Sequence, residues 1–153
     1  MYKKIFIGII LSSLLFSCHS NVVYTHFQDI GEGGWIADSV ITFEPQIEES
    51  ANPYNIVIHV RHKETYPYQN MWLFINMIYD DSIQISNDTI DFMLANERGQ
   101  WLGNHTGSLW EMPVLLKKDY HFPDKGKYII KVQHGMRETA LRGIMDIGLT
   151  IEK

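Results

Sequence analysis

Two histidines three positions apart are the closest pair of metal-type side chains in this sequence. His59 and His62 lie in His59-Val60-Arg61-His62, a segment that alternates like a strand, and successive side chains of a strand point to opposite faces. Two ligands from one strand should be two residues apart, and neither an HExxH helix nor a paired-cysteine motif is present. The sequence therefore predicts no metal site and no cofactor.

Hydroxyl and carboxylate residues form no complete catalytic motif. A serine nucleophile is expected at a sharp turn between two glycines, and the nearest segment, Thr106-Gly107-Ser108-Leu109-Trp110, lacks the second glycine. Carboxylate pairs suited to glycoside cleavage are available in any acidic β-protein, mostly as turn residues. The candidates here are Asp80, Asp81, Asp88, Asp91, Glu97 and Glu111. We therefore expect that the protein is not an enzyme.

Cys18 is the only cysteine in the chain. It follows Leu15-Phe16-Ser17, a segment that resembles the lipobox of bacterial lipoproteins, although Phe16 is bulkier than the residue usual at its position. A lone cysteine has no partner for an internal disulfide, and an exported free thiol is prone to oxidation. We therefore predict that the chain is cleaved before Cys18 and that acyl chains such as palmitate on Cys18 hold the protein on a lipid bilayer.

The segment before Cys18 has the plan of a signal peptide. Lys3 and Lys4 precede an apolar run from Ile5 to Phe16, and these about 12 residues are fewer than the roughly 20 that span a membrane. The predicted organisation is a signal peptide in residues 1–17, then the lipidated cysteine, a short tether and a first strand in residues 18–34, and a single domain in residues 35–153.

The charge of the mature chain limits its partners. Removing residues 1–17 from the 153 residues leaves 136, and the loss of Lys3 and Lys4 reduces the basic residues from 13 to 11 against 18 acidic ones. The resulting net charge of about −7, with no basic stripe, argues against nucleic acid and anionic lipid headgroups as partners.

Short β-rich runs separated by turn signals fill the sequence from Val22 onward, and no segment has an apolar stripe at the helical period. The predicted strands are Val22 to Phe27, Ser39 to Ile47, Tyr54 to Lys63, Asn70 to Tyr79, Ser82 to Ile85, Thr89 to Asn96, Leu109 to Leu116, Lys127 to His134 and Gly143 to Glu152. Their spacing implies antiparallel pairing, so we predict an all-β fold, an antiparallel β-sandwich of immunoglobulin-like or jelly-roll-like type.

The run from Met71 to Tyr79 is apolar at almost every position. Such a strand either lies centrally under loops or presents one face to a partner. We favour the first interpretation, which places Trp72 in the core.

Aromatic and charged loop residues form the candidate partner or ligand surface. The rings are expected either to stack on a sugar or peptide or to anchor loops, and the charges either to bind a partner or to form solvated ion pairs. The candidate residues are Tyr66, Tyr68, Arg98, Trp101, Trp110, Arg137 and Arg142.

Three tripeptides resemble the Asp-Ser/Thr-aliphatic acceptor for periplasmic O-glycosylation in some gliding bacteria. Their hydroxyl residues are Ser39, Ser82 and Thr89. Each falls at a predicted strand start, where the hydroxyl is expected to be exposed, so modification of these residues is a hypothesis.

Three ordered stretches carry a family resemblance across the mature chain. They are Tyr66 to Ile75, Asp88 to Gly103, and Gln133 to Arg137 with Leu141 to Leu149. Through them the chain resembles the gliding-motility lipoprotein family named GldH. The resemblance implies a cell-envelope lipoprotein needed for gliding over surfaces, in a system linked to type IX secretion, and it brings no catalytic residues.

From these observations we expect a binding or assembly subunit that meets envelope proteins of the gliding and secretion apparatus. The alternative is a carbohydrate-binding lipoprotein that uses Tyr66, Tyr68, Trp101 or Trp110. Position 19 is histidine rather than the aspartate that retains lipoproteins at the inner membrane of enteric bacteria. We therefore expect the outer membrane, with the protein facing the periplasm.

Overall fold

The computed structural model describes residues 21–153, so Cys18 and the predicted signal peptide lie outside the described residues. This part of the chain forms β-strands and no helix. The strands are β1 (Val22–Asp29), β2 (Trp35–Ile36), β3 (Ile41–Phe43), β4 (Gln46–Ile47), β5 (Tyr54–Lys63), β6 (Asn70–Tyr79), β7 (Ile83–Met93), β8 (Asn104–Thr106), β9 (Leu109–Tyr120), β10 (Gly126–His134), β11 (Ala140–Leu141) and β12 (Ile144–Glu152).

Two antiparallel sheets pack face to face. The first has the order β1-β12-β5-β9-β8, and the second has the order β3-β10-β6-β7, with β4 also paired to β10. The short strands β2 and β11 pair with each other. The predicted all-β antiparallel sandwich is confirmed. The first strand predicted in residues 18–34 is β1, which pairs with β12 from Val22↔Glu152 to Asp29↔Asp146 and so belongs to the first sheet.

The core lies between the sheets because apolar residues alternate along the central strands. Ile56, Ile58 and Val60 of β5 are fully buried, while the residues between them are half-buried on the opposite face. The same alternation buries one face of β10 and of β12. Each such side chain contributes about 1.5–3 kcal/mol by leaving water, so register is fixed by which face must be covered.

Strand β7 is continuous where the sequence predicts two strands. Asn87 and Asp88 lie in the gap between the predicted strands Ser82 to Ile85 and Thr89 to Asn96, but they pair with Asn76 and Ile75 of β6. Asp88 also forms an ion pair of 3.0 Å with Lys117 of β9. Polar residues are tolerated here because β7 is an edge strand, where a charge that points inward also opposes pairing with another chain.

The predicted strand Ser39 to Ile47 is shorter and interrupted in the structure. Glu44 and Pro45 separate β3 from β4. The carbonyl of Pro45 accepts a hydrogen bond of 2.9 Å from the Tyr128 amide. Proline has no amide hydrogen to donate to a ladder, which explains why the strand breaks at this position.

The apolar run of β6 is not covered by loops, so the favoured interpretation of this segment is wrong. Met71, Leu73 and Ile75 point into the core and are at most 1 % exposed, but Trp72 and Phe74 point outward and are 41 % and 45 % exposed. Trp72 is therefore a surface residue.

Strand directions give the sandwich two distinct ends. The entry end contains Asn21, where the described chain begins, and Lys153, whose amide donates to the Asn21 carbonyl over 2.8 Å. The far end lies at the opposite ends of the long strands. It consists of residues 30–40, 64–69, 94–108 and 135–143.

Candidate functional site

Most of the predicted surface residues lie at the far end, where three loops interlock. The carbonyl of Gln69 accepts hydrogen bonds from the amides of Leu94 and Ala95 at 2.7 and 3.0 Å. The hydroxyl of Tyr68 donates to the Glu138 carboxylate. These bonds join residues 64–69 to the segments that carry Arg98, Trp101, Arg137 and Arg142. The structure therefore brings together residues that are more than 70 positions apart in the sequence.

Tyr66 and Trp101 are anchors inside this loop cluster. Tyr66 is 3 % exposed, and its hydroxyl donates to the Asn70 carbonyl over 3.0 Å. Burial raises the pKa of Tyr66 well above its usual value. The Trp101 ring packs edge-on against the buried His62 ring at 4.6 Å. Tyr66 therefore offers no ring face to a ligand, and both residues fit the loop-anchoring interpretation.

The charged far-end residues differ in their partners. A hydrogen bond to Glu138 and, to a smaller extent, desolvation raise the pKa of Tyr68, so Glu138 is already engaged. Arg98, Arg137 and Arg142 are exposed, and none of them forms an ion pair with a carboxylate of residues 21–153. These arginines are available to an acidic partner.

Trp110 lies on β9, where it is half-buried. Its ring stacks on His105 of β8, with ring centroids 4.6 Å apart and planes inclined by 30°. The indole Nε1 is buried and has no hydrogen-bond partner in the described part of the chain. This stacking holds the β8–β9 hairpin together, which again fits an anchoring role.

A groove that the sequence analysis missed lies beside the exposed rings of β6. It encloses about 490 Å³ and is lined by Tyr68, Asn70, Trp72, Gly135, Met136 and Arg137. Its floor is close to β6, because the Gly135 amide donates to the Trp72 carbonyl over 2.7 Å. A Cβ on Gly135 would lie only 3.0 Å from Phe74 Cζ and 3.2 Å from Trp72 Cβ. The signal in the sequence was the pair Trp72 and Phe74, two positions apart and therefore on one face.

The outer face of the first sheet carries a chain of polar contacts that resembles a catalytic relay. His59 joins Glu111 at 2.9 Å through Nδ1 and Thr150 at 3.0 Å through Nε2. Thr150, however, is in contact with Thr25 at 3.2 Å. It also lies on a central strand whose backbone pairs with β1 and β5, so neighbouring amides are not free to stabilise an oxyanion.

Charge pairing accounts for this polar surface. Burial raises the pKa of Glu111, but bonds to Arg61 and His59 outweigh that effect and the net pKa is lowered. The guanidinium of Arg61 also lies 3.9 Å from the centre of the Phe27 ring and 3.5 Å from Asp146. At Asp146 burial outweighs the effect of the Arg61 charge, so the pKa of the Asp146 carboxyl is raised. From β5, Arg61 thus contacts side chains of β1, β9 and β12 on the solvent side of the first sheet.

Two histidines are buried at the far-end half of the core. His62 Nδ1 donates to the Lys63 carbonyl, and His134 Nε2 donates to the Trp35 carbonyl, each over 3.0 Å. Burial lowers the pKa of both rings below the ordinary value of 6.5. Both are therefore neutral in the folded protein at pH 7.

These histidines predict a loss of stability in mild acid. Below pH 6.5 these two histidines are protonated in the unfolded chain but still neutral in the folded protein. The free energy of unfolding therefore falls by up to about 1.4 kcal/mol per pH unit for each histidine. The loss continues until the pH reaches the lowered folded pKa values. Urea unfolding at pH 7.5, 6.5 and 5.5 measures it. We expect a weaker pH dependence in His62→Gln and in His134→Gln. Equal stability at all three pH values would contradict the prediction.

The three predicted acceptor hydroxyls belong to exposed residues. Ser39 follows β2, and Ser82 lies in the turn before β7, where its hydroxyl donates to the Asp80 carbonyl over 3.2 Å. Thr89 is in the middle of β7, opposite Phe74, so its predicted place at a strand start is wrong. Modification of these residues stays a prediction.

His59 and His62 lie on opposite faces of β5, as their spacing predicted. Within residues 21–153, no three His, Cys, Asp or Glu side chains are grouped as metal ligands. In the same residues, no helix has the length and apolarity required to span a membrane.

Comparison with known proteins identifies relatives over almost the whole chain. The gliding motility lipoprotein GldH of Flavobacterium johnsoniae is 33 % identical over 155 aligned positions, which cover 95 % of each chain. The gliding motility lipoprotein GldH homolog of Christiangramia forsetii is 31 % identical over 157 positions, covering 98 % of this chain and 95 % of the relative. Among solved structures, the infectious bursal disease virus VP2 subviral particle aligns with 84 % of this chain and 38 % of its own chain. The TM-score of this alignment is 0.22 and the sequence identity is 13 %.

The GldH lipoprotein family model matches residues 22–151. This match begins at the first residue of β1 and ends one residue before the end of β12, so it covers the entire sandwich. Together with the two relatives, it shows that the chain belongs to the GldH lipoprotein family, a family linked to gliding motility.

Proposed function

We propose that this protein is a membrane-anchored envelope lipoprotein that serves as a binding or assembly subunit of the gliding-motility machinery, linked to type IX secretion. The observation that carries the proposal is the family match over the whole sandwich. Both relatives are named as gliding-motility lipoproteins. A lipobox at Cys18 and a histidine at position 19 support an outer-membrane location facing the periplasm.

An assembly role fits the chemistry of the described surface better than catalysis. The one relay-like arrangement, His59 with Glu111 and Thr150, lies on a flat sheet face among paired backbone groups. By contrast, the far end presents interlocked loops on a rigid sandwich, which is where binding sites usually lie. Tyr66 is buried and Trp101 packs against the His62 ring. These contacts support loop anchoring rather than the alternative of a sugar-stacking surface.

The distance between the lipid and the fold supports a docking role near the membrane. Strand β1 begins at Val22, so the tether from Cys18 spans at most about 14 Å even when fully extended. With acyl chains on Cys18, the entry end would lie close to the bilayer, and the far end is roughly one strand length, about 30 Å, from the entry end. A protein held in this way meets membrane partners at high effective concentration, so weak contacts suffice.

Deletion of the gene in its own bacterium tests the proposal. We expect loss of spreading on agar and loss of cell movement on glass, both restored by the wild-type gene. Proteins released into the culture medium should be compared between the two strains by mass spectrometry, and a deficit in the deletion strain would support the link to secretion. Normal gliding of the deletion strain would contradict the motility role.

A further inference from the structure

The outer face of the second sheet carries an apolar strip at its far-end half. We propose that this strip, formed by Trp72, Phe74 and the adjoining groove, docks a segment of a partner protein that carries an apolar side chain next to a carboxylate. The proposal rests on the proposed function for its setting, because it assumes a partner within the envelope.

Other exposed apolar side chains flank the strip on this face of the sheet. Trp72 and Phe74 are 41 % and 45 % exposed, and Val40 and Met93 on the same side of the sheet are 45 % and 46 % exposed. Val40 shares a hollow of about 180 Å³ with Phe74, while Met93 lies opposite Asn70 on β7. Exposed apolar side chains therefore lie on both sides of the strip, with the polar residues Gln133 and Asp91 beside them. Exposed apolar patches of this kind mark interaction sites.

The groove beside the strip is formed before any partner binds. Gly135 leaves it open, since a Cβ there would crowd Phe74 and Trp72. The Met136 sulfur accepts a hydrogen bond of 3.4 Å from the Trp72 amide, which fixes the groove wall against β6. A rigid aromatic next to an adaptable methionine is typical of protein interfaces, where Trp, Tyr, Met and Arg are enriched.

Charge indicates what the partner carries. Arg137 lines the groove and has no ion pair within residues 21–153, and the groove lining contains no carboxylate. The nearby acids Glu138 and Asp91 accept hydrogen bonds from Tyr68 and Asn70, and neither forms an ion pair with Arg137. The basic residues that do have a carboxylate within 3.5 Å are Arg61, Lys63, Lys117, Lys127 and Lys153. An arginine left unpaired in an acidic protein favours a carboxylate from outside.

The tether argues against lipid as the occupant. Asn70, Trp72 and Phe74 occupy the half of β6 next to the far end, while Tyr79 is at the entry end. With acyl chains on Cys18, the short link would hold the entry end at the bilayer, and the strip lies toward the other end of the same strands. A protein segment is the occupant that the apolar strip and the free guanidinium fit best.

Selection from a displayed library of random dodecapeptides on residues 19–153 tests the inference. We expect enriched peptides that combine an aromatic or aliphatic residue with Asp or Glu. The synthetic consensus peptide should bind by isothermal titration with a Kd that rises about tenfold or more in Trp72→Ala and in Arg137→Ala. Leu115→Ala is the matched control, because Leu115 is 52 % exposed on the outer face of the other sheet. This control should leave the Kd unchanged.

Each other outcome overturns the inference. No enrichment, or a Kd insensitive to both Trp72 and Arg137, removes the docking site. Tryptophan quenching by N-acetylglucosamine hexamer that is lost in Trp72→Ala would assign the strip to sugar. A concentration-dependent dimer lost in the same variant would assign it to a second copy. In cells, gliding that is lost on deletion but normal in Trp72→Ala/Phe74→Ala refutes the docking site while the motility role stands. Normal gliding on deletion refutes the motility role itself.

Discussion

Replacing Cys18 with serine is expected to abolish acylation completely. The chain contains no other cysteine, so no second thiol can take the acyl chains. Labelled palmitate supplied to growing cells should enter the wild-type protein and be absent from Cys18→Ser. Intact mass measurement should show the corresponding loss of the lipid. Ser20→Ala is the matched control, since it alters the tether and keeps the thiol.

Loss of the lipid should release the domain from the membrane. Burial of acyl chains contributes about 0.8 kcal/mol per methylene, so one chain binds marginally while two or three hold a protein almost permanently. Residues 19–153 exported behind a cleavable signal peptide should therefore appear in the soluble periplasmic fraction and should not restore gliding to a deletion strain. A domain that stays with the membrane after washing at alkaline pH would show that protein contacts, and not lipid, anchor it.

Gly143→Ala is expected to be among the most destabilising single changes at the far end. Gly143 has a φ of +88°, and a Cβ there would lie 2.7 Å from Tyr66 Cα and 2.9 Å from Tyr66 N. The left-handed conformation costs about 1–2 kcal/mol for a residue with a side chain. The clash involves backbone that cannot rotate away, which adds about 1–3 kcal/mol. Urea unfolding should therefore show a loss of about 3 kcal/mol.

Gly107→Ala separates the two contributions to that loss. Gly107 has a φ of +63°, but no heavy atom lies within 4 Å of its added Cβ. This variant should lose only the conformational share, about 1 kcal/mol. Similar losses in the two variants would mean that the chain around Tyr66 moves to accept the methyl group, and that the far-end loops are less rigid than their contacts indicate.

The sequence predicted the bounds of the long central strands well because clear turn residues flank these β-rich runs. Strands β5 and β6 have the predicted bounds, Tyr54–Lys63 and Asn70–Tyr79. Asp80 and Asp81, which lie between the predicted strands Asn70 to Tyr79 and Ser82 to Ile85, form a turn in which both residues have positive φ values. In β5 one local rule also decides which side chains are buried, because a strand with one apolar face has one register that buries it.

Edge strand β7 was mispredicted because local chemistry and tertiary pairing disagree there. Asn87 and Asp88 are strong turn residues by themselves. In the fold, pairing with β6 and the ion pair between Asp88 and Lys117 outweigh that preference. Rules that consider one segment at a time do not include its partner strand. The pairing of Asn87 and Asp88 with β6 therefore could not be predicted from their own segment.

The family stretches and Cys18 were evident from the sequence alone, because they depend on the order of residues along the chain. Only the tertiary structure decided which aromatic residues are exposed. Tyr66 and Trp101 pack around His62, while Trp72, predicted to be buried, faces solvent beside Gly135 and Arg137. The reason is physical: exposure depends on which loops cross a sheet face and where they pack, and that is set by contacts between distant segments, not by the pattern within any one of them.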